Sequence, residues 1–377
     1  MKVAIDIRRM KDFGVGTYIR NVVRNLGRLD EQTQFFLIGP AHSRETIGPL
    51  PANFRNVVFE ASDTSFAGWT GFRAILRRLR CDLVHIPHLY WLPRGLPCPY
   101  IVTVHDVLEY LERAPGETLL QLTLHFNLTR KVVRSAARLL AVSEFTRSEL
   151  ETLFHLPGDR AEVVHNAIDE RFLCGHASQA EKQMIAERYQ VNYPFLLYAG
   201  RIRPQKNVGR IIEAFSVLKG ELAKEGKFED LKLIIIGDEV SSHPDLRRTV
   251  VRGGVSNDVR FLGFVPIDVL RIFYDAAKVF VFPSLYEGFG LPPLEAMAHG
   301  TPVVTSNTSS LPEVVGDAAV LVNPDNVFEI TRALRRVLLD QSLREKMKER
   351  GYEQARCFSW EASVRRILEV YREVAAA

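Results

Sequence analysis

At 377 residues the chain is too long for one typical domain, which predicts two. With 46% hydrophobic and 25% charged residues, a net charge of +4 and a pI near 8.8, it has an ordinary globular composition and only a mildly basic balance. That excludes a dedicated nucleic-acid binder. No run reaches the roughly 20 apolar residues a bilayer span needs, so the chain is expected to be soluble or at most peripheral.

The N-terminus, MKVAIDIRRM, reads as a strand and not as a signal peptide. In the first half, strand-like apolar runs fall at 3–7, 35–38, 57–59, 83–86, 100–104, 139–142 and 162–164. In the second half they fall at 195–198, 231–236, 259–261, 279–282, 302–305 and 318–322. Each is followed by a helical pattern. Near-continuous apolar strands alternating with helices predict parallel sheets covered on both faces, an α/β doubly wound architecture. The alternation lapses after His165-Asn166-Ala167-Ile168-Asp169 and restarts after Tyr193-Pro194. The expected organisation is a domain over 1–170, a linker over 171–192, a second domain over 193–357 and a last helix over 358–377.

Two basic segments interrupt the even charge distribution. One is 71–80 with Arg73, Arg77, Arg78 and Arg80; the other holds Arg130, Lys131, Arg134 and Arg138. Each is either a membrane- or phosphate-attracting face or a solvated helix face packed on a sheet. The cysteines Cys81, Cys98, Cys174 and Cys357 are scattered, without metal-ligand spacing. This predicts neither disulfides nor a zinc site, and fits a reducing, cytoplasmic compartment.

Open parallel sheets bind ligands beyond the carboxyl ends of their strands, so the residues after each strand carry the functional reading. After the first strand, Gly14 and Gly16 precede a helical pattern from Thr17 to about Leu29. This is either an anion-accepting helix entry or a plain tight turn. His105-Asp106 follows the fifth strand, where a histidine is structural or functional. In the second half, Gly200 opens a loop bearing Arg201 and Lys206, either solvated cations or a pair suited to phosphate oxygens. Val265 follows a later strand end, where backbone can face a flat base.

The stretch FPSLYEGFGLPPLE spans 282–295 and holds two glutamates, Glu287 and Glu295, with Gly288 and Gly290 between them. The prolines argue against two acids on one helix face, and the spacing fits carboxylates gripping different parts of one ligand. A helix is predicted from about Pro293 or Leu294. Glu295 is then in its first turn, where the dipole favours the charged form.

This stretch resembles the Glu-x7-Glu motif of retaining glycosyltransferases with the GT-B fold, family 4 in particular. AGRIRPQKN (199–207) looks like that family's diphosphate loop, and GVGTY (14–18) like its N-terminal glycine loop. VHD (104–106) and AVSEFTR (141–147) look like its active-site segments on the acceptor side. HNAID (165–169) resembles its Asn-Gly-Val-Asp segment, with Ala167 in place of glycine.

The resemblance implies two facing Rossmann-like domains around an interdomain cleft, with the last helix crossing back to the first. Glu295 would bind the nucleotide ribose and Glu287 the donor sugar, while backbone from Gly288 through Phe289 and Gly290 to Leu291 lines the donor. Arg201 and Lys206 would neutralise the diphosphate, with Gly200 shaping their loop. Gly14 and Gly16 would approach it, and His105 would sit beside the reacting sugar. Asp106, Tyr18 and Arg147 would serve the acceptor side.

It implies no cofactor and no essential metal. The partners would be a nucleotide-sugar and a glycan or lipid-linked acceptor, with peripheral contact to anionic membrane through the basic segments and no nucleic acid. The start IDIRRM…GVGTYIRN resembles a bacterial mannosyltransferase-like branch, which favours GDP-mannose over a UDP-sugar. Two rivals share the architecture: a UDP-sugar 2-epimerase, which turns over UDP-GlcNAc without an acceptor, and a non-catalytic sugar-nucleotide-binding protein.

Overall fold

The computed structural model describes residues 1–90, 95–111, 118–158, 160–173, 175–238 and 240–377; Cys174 lies outside them. The chain divides into two compact units. Unit 1 is Met1–Ala167 with Ser359–Ala377, and unit 2 is Ile168–Phe358.

Unit 1 is built on seven parallel strands: β1 (Lys2–Asp6), β2 (Gln34–Gly39), β3 (Phe54–Val58), β4 (Leu83–Ile86), β5 (Tyr100–Val104), β6 (Arg138–Ala141) and β7 (Ala161–Val163). Their order is β3-β2-β1-β4-β5-β6-β7. The order reverses between β1 and β4, where Ala4 is in register with Val84, and this switch point opens a crevice beyond the strand ends. Val84, Ile86, Val102 and Val104 have no solvent exposure, because helices cover both sheet faces.

The last helix, Trp360–Ala376, belongs to unit 1. Trp360, Val364, Ile367, Leu368 and Tyr371 recur at helical spacing and are buried. Ser363 Oγ donates to the His165 carbonyl at 2.7 Å, and Arg366 Nη2 to Glu162 Oε2 at 2.9 Å.

Unit 2 carries six parallel strands: β8 (Phe195–Ala199), β9 (Lys232–Ile236), β10 (Val259–Gly263), β11 (Val279–Phe282), β12 (Val303–Ser306) and β13 (Ala319–Val322). Their order, β10-β9-β8-β11-β12-β13, repeats the doubly wound pattern with its switch point between β8 and β11.

Four details differ from the sequence expectation. The first long helix starts at Phe13, so Gly14 and Gly16 lie inside its first turns and do not precede it. The segment expected as a linker, whose helical run is the helix Gln179–Tyr189, is part of unit 2. It is held there by Tyr189 edge-on to Phe273 (5.4 Å) and by Arg271 paired with Glu181 (2.8 Å). The unit boundary falls between Ala167 and Ile168, inside the HNAID segment. The helix after β11 begins at Leu291, with Pro292 and Pro293 in its first turn, where proline's missing N–H costs little.

The basic segments are not single faces. On helix Phe66–Leu79, Phe72 and Leu76 turn inward and Arg77 and Arg78 outward. In the second segment Lys131 and Arg134 are exposed on helix Leu119–Ser135, whereas Arg138 begins β6.

Candidate active site

In unit 2 the loops after β8 and β11 meet at the switch point. Gly200 has φ +151° and its N–H donates to the Ile236 carbonyl at 3.0 Å. A Cβ on Gly237 would lie 2.1 Å from the Gly200 carbonyl oxygen, so the two strand ends approach backbone to backbone. Asp238 Oδ2 accepts from the Ile202 N–H (2.9 Å), and Tyr198 OH donates to the Arg201 carbonyl (3.0 Å). The loop is therefore fixed, with Arg201 exposed on it. Asn207 then sews the two loops together, donating to the Pro283 carbonyl at 3.1 Å and the Pro324 carbonyl at 2.8 Å. The Gln205 carbonyl accepts from Ser284 Oγ (2.9 Å) and the Leu285 N–H (2.7 Å).

That seam brings Lys206 against Glu287, with Nζ and Oε1 2.5 Å apart. The pair is largely withdrawn from water: the side chains are 20% and 10% exposed. Lys206 Nζ also lies 5.6 Å from the Phe282 ring centre, and Phe282 stacks on Tyr198 at 5.7 Å. Backbone around Glu287 is held by two serines. The Glu287 N–H donates to Ser309 Oγ (3.1 Å), and Ser310 Oγ donates to the Glu287 and Phe289 carbonyls (2.9 and 2.7 Å). Gly290 has φ +104°, and a Cβ there would meet Leu311 Cδ2 at 2.7 Å, so the turn into helix Leu291–Ala298 requires glycine. Gly288 is half-buried and Phe289 buried.

Glu295 has a different setting from the one expected. It is the fifth residue of its helix, beyond the first turn where the dipole acts. It keeps partial solvent access, but burial of its carboxylate raises the pKa to about 7. Tyr274 works against that rise, Asp169 adds to it and Arg171 opposes it. Tyr274 OH donates to Glu295 Oε2 at 3.0 Å. Asp169, which is 2% exposed, is forked by Arg171 at 2.8 and 2.9 Å.

Nothing in the sequence points to Tyr274, which lies inside the amphipathic helix Ile267–Ala276. Asp169 is visible only as the end of the HNAID segment. Val265 is buried beside the exposed Phe264 (71%) after the left-handed Gly263.

In unit 1, Tyr18 and His105 are brought together edge to face at 4.9 Å. His105 Nε2 donates to the Pro87 carbonyl at 3.0 Å, since a carbonyl only accepts. That leaves Nδ1 as the acceptor of a neutral ring. Burial, then the charge of His88, lowers the His105 pKa to about 4. Tyr18 OH bonds Thr103 Oγ1 (2.9 Å), which also contacts His85 Nε2 (2.8 Å), and His85 Nδ1 meets Tyr371 OH (2.6 Å). The last helix is thereby wired to the ring that backs His105.

A Cβ on Gly16 would fall 2.1 Å from the Met10 carbonyl oxygen, whereas one on Gly14 meets nothing within 4 Å among the described residues. The exposed Asp106 accepts from the Leu108 N–H at 3.1 Å, and Arg147 pairs with Glu144 at 2.6 Å on its own helix. At the end of β1, the buried Asp6 is held by Arg8 (2.7 Å) and by Tyr90 OH (2.5 Å).

The profile of a family described as Glycosyl transferases group 1 matches residues 179–354, and that of Glycosyltransferase Family 4 matches residues 14–172. An Escherichia coli protein named O-antigen chain mannosyltransferase B is 36% identical over 302 residues, covering 79% of this chain and 76% of that protein. The E. coli Serotype-specific mannosyltransferase WbdA is 31% identical over 272 residues, covering 70% of this chain but 32% of that longer protein. Among solved structures, sucrose-phosphate synthase from Thermosynechococcus elongatus shares the fold, with a TM-score of 0.78 at 18% identity over 100% of this chain and 99% of that one.

Proposed function

The chain belongs to the glycosyltransferases of group 1 and family 4, and from that premise we propose that it transfers mannose from GDP-mannose, with retention of anomeric configuration, to a growing bacterial surface glycan. The enzyme is a hexosyltransferase of GT-B fold, α/β with two Rossmann-like units. The choice of mannose rests on the named mannosyltransferase relatives, one of them 36% identical. The chemistry rests on one observation: Lys206 and Glu287 are locked together at the unit 2 switch point.

Breaking the anomeric C–O bond leaves positive charge on the sugar and negative charge on the nucleotide diphosphate. Lys206, with Arg201 on the same loop, stabilises the departing diphosphate as its charge grows. Glu287, anchored by Lys206, accepts from donor-sugar hydroxyls. Glu295 accepts from the ribose hydroxyls, and backbone from Gly288 to Leu291 lines the donor. Val265 and the loop that carries it lie beside the base.

In unit 1, the unprotonated Nδ1 of neutral His105 accepts from a hydroxyl near the reacting carbon. Gly14 admits the diphosphate closely. Tyr18 backs His105, and Asp106 and Arg147 lie toward the acceptor. The acceptor hydroxyl attacks from the face the diphosphate leaves, and the leaving phosphate oxygen takes its proton. One C–O bond breaks, one forms, and no side chain becomes covalently linked. The two glutamates are thus a donor clamp and not the acid/base pair of a glycoside hydrolase.

These cations supply the charge a metal would otherwise provide, so we expect chelator to leave transfer intact; complete loss with rescue by Mn²⁺ would overturn that. No helix among the described residues is long and apolar enough to cross a membrane. We place the protein in the cytoplasm, with Arg77, Arg78, Lys131 and Arg134 drawing it to an anionic membrane surface. Full activity on soluble acceptors with no vesicle binding would remove that part.

The deciding experiment is a panel of nucleotide-sugars scored by slow hydrolysis and by thermal stabilisation. GDP-mannose should give both; stabilisation by a UDP-sugar alone would overturn the donor assignment.

A further inference from the structure

Three side chains distant in sequence converge in unit 2. Asp275 lies in the last turn of helix Ile267–Ala276, His299 closes helix Leu291–Ala298, and His176 lies 99 positions before Asp275. Asp275 Oδ1 is 2.9 Å from His176 Nδ1 and 2.9 Å from His299 Nδ1. Its other oxygen accepts the Ala177 N–H at 2.5 Å. The three candidate ligand atoms lie within 4.8 Å of one another.

The chemistry of this donor set is selective. Two imidazoles and one carboxylate suit a borderline divalent ion of the zinc type, not the all-oxygen shells of calcium or magnesium. Nitrogen–oxygen separations near 3 Å are those of neighbouring ligands each roughly 2.0–2.1 Å from a shared ion. The carboxylate is buried, 1% exposed, and already ionised: burial pushes its pKa up, but the bonds from His299, His176 and the Ala177 N–H outweigh that. His176 is 54% exposed at its side chain, which leaves an entry path and freedom to re-aim.

A histidine that ligates through Nδ1 carries its proton on Nε2 and needs an acceptor there. For His176 one is at hand: Tyr352 OH sits 3.2 Å from its Nε2. His299 is 5% exposed, and its Nε2 has no partner among the described residues, so only the His176 side has an outer partner in the protein.

We propose that His176, Asp275 and His299 form a structural site for one divalent transition-metal ion of the zinc type. In the bound state each ring carries its proton on Nε2, and both Nδ1 lone pairs and Asp275 Oδ1 turn to the ion. No redox change is required. The ion would fasten residues 176–177, near the start of unit 2, to the ends of the helices that carry Tyr274 and Glu295. It lies outside the transfer chemistry. The ligands are spread over three segments, so no short spacing betrays them in the sequence.

The test uses the full chain, stripped with chelator and desalted, and titrated with Zn²⁺ by calorimetry and thermal shift. Co²⁺ serves as an absorbance probe. We expect one ion per chain, a raised melting temperature and visible Co²⁺ bands. His176→Ala, at an exposed position, should fold normally and lose the bands and the Zn²⁺-dependent shift. Tyr352→Phe should weaken binding by about tenfold, as loss of an outer partner does. Absence of saturable binding overturns the proposal, as does binding unchanged in both His176→Ala and His299→Gln. Neither readout uses a sugar donor, so failure here is separable from failure of the transferase assignment.

Discussion

Lys206 Nζ lies 2.5 Å from Glu287 Oε1 in a setting where the side chains are 20% and 10% exposed. Neither charge is well hydrated, so removing one strands the other. Lys206→Met should cost about 3 kcal/mol of stability, in the range for breaking a buried pair. It should also lower the rate of the chemical step. The double variant Lys206→Met/Glu287→Gln should recover most of the stability and none of the rate. Urea melts and single-turnover kinetics separate the two effects. A double variant that regains transfer would reduce the pair to a structural role.

Glu295, with its pKa raised to about 7, gives donor binding a pH dependence. The folded protein holds a proton on this group between about 4.5 and 7 that the unfolded chain releases. Its stabilising contribution is therefore complete below 4.5 and fades as pH rises through 7. Ribose binding by the carboxylate runs the other way, so donor affinity should rise from pH 6 to about 8 and flatten in Glu295→Gln. Tyr274→Phe removes the bond that lowers this pKa and should move the profile upward. Glu295→Ala should weaken the donor by about 1.5–3 kcal/mol, as a lost charge-assisted bond does. Titration calorimetry across that range decides it; unchanged affinity in Glu295→Ala would sink the ribose role.

The central strands of both sheets were legible as apolar runs, because strands buried on two faces leave no polar alternation to confuse the pattern; the edge strand β3, interrupted by Arg55 and Asn56, was met only at Val57 and Val58. The run at 83–86 coincides with β4 and that at 279–282 with β11. The first helix was harder. Gly14 and Gly16 read as a turn, yet Gly16 is helical because its N–H reaches the Asp12 carbonyl at 2.6 Å and Met10 packs where a Cβ would be. Within the candidate site, Lys206 and Glu287 could be named from their motifs. Their contact could not, since it depends on Asn207 and Ser284 joining two loops about 80 positions apart. Tyr274 was invisible for a related reason: in an amphipathic helix, a tyrosine that packs and one that donates to a buried acid look alike.

The two glycines make a paired prediction. In a helix, Gly→Ala ordinarily gains up to about 1 kcal/mol. At Gly14 nothing among the described residues opposes the new methyl group, so Gly14→Ala should hold or raise the melting temperature while slowing transfer, if the donor passes close to that backbone. At Gly16 the methyl group would meet a backbone carbonyl at 2.1 Å, so Gly16→Ala should lower the melting temperature. Melting curves and transfer rates on the same preparations read both. Full transfer by Gly14→Ala would remove that glycine from the donor path.

His105 and His85 define the acid limit of unit 1. Burial, then the His88 charge, lowers the His105 pKa to about 4, and burial, then His105, lowers that of His85 to about 3. The unfolded chain binds protons on both near pH 6.5, before the folded chain does. Their contribution is therefore fully present above pH 6.5 and is lost as pH falls through 4 and 3. Each should contribute on the order of a few kcal/mol across that interval. His105→Asn removes one titrating ring and relieves the other, so its stability should fall less steeply with acid than that of the parent. Urea melts at successive pH values give the two slopes. Proton NMR of the His105 ring gives the cause directly, because the ring should stay neutral well below pH 6. A His105 titration near its ordinary value, with parallel slopes in the two proteins, would show that the ring is hydrated and that its Nδ1 is no dedicated acceptor for a sugar hydroxyl.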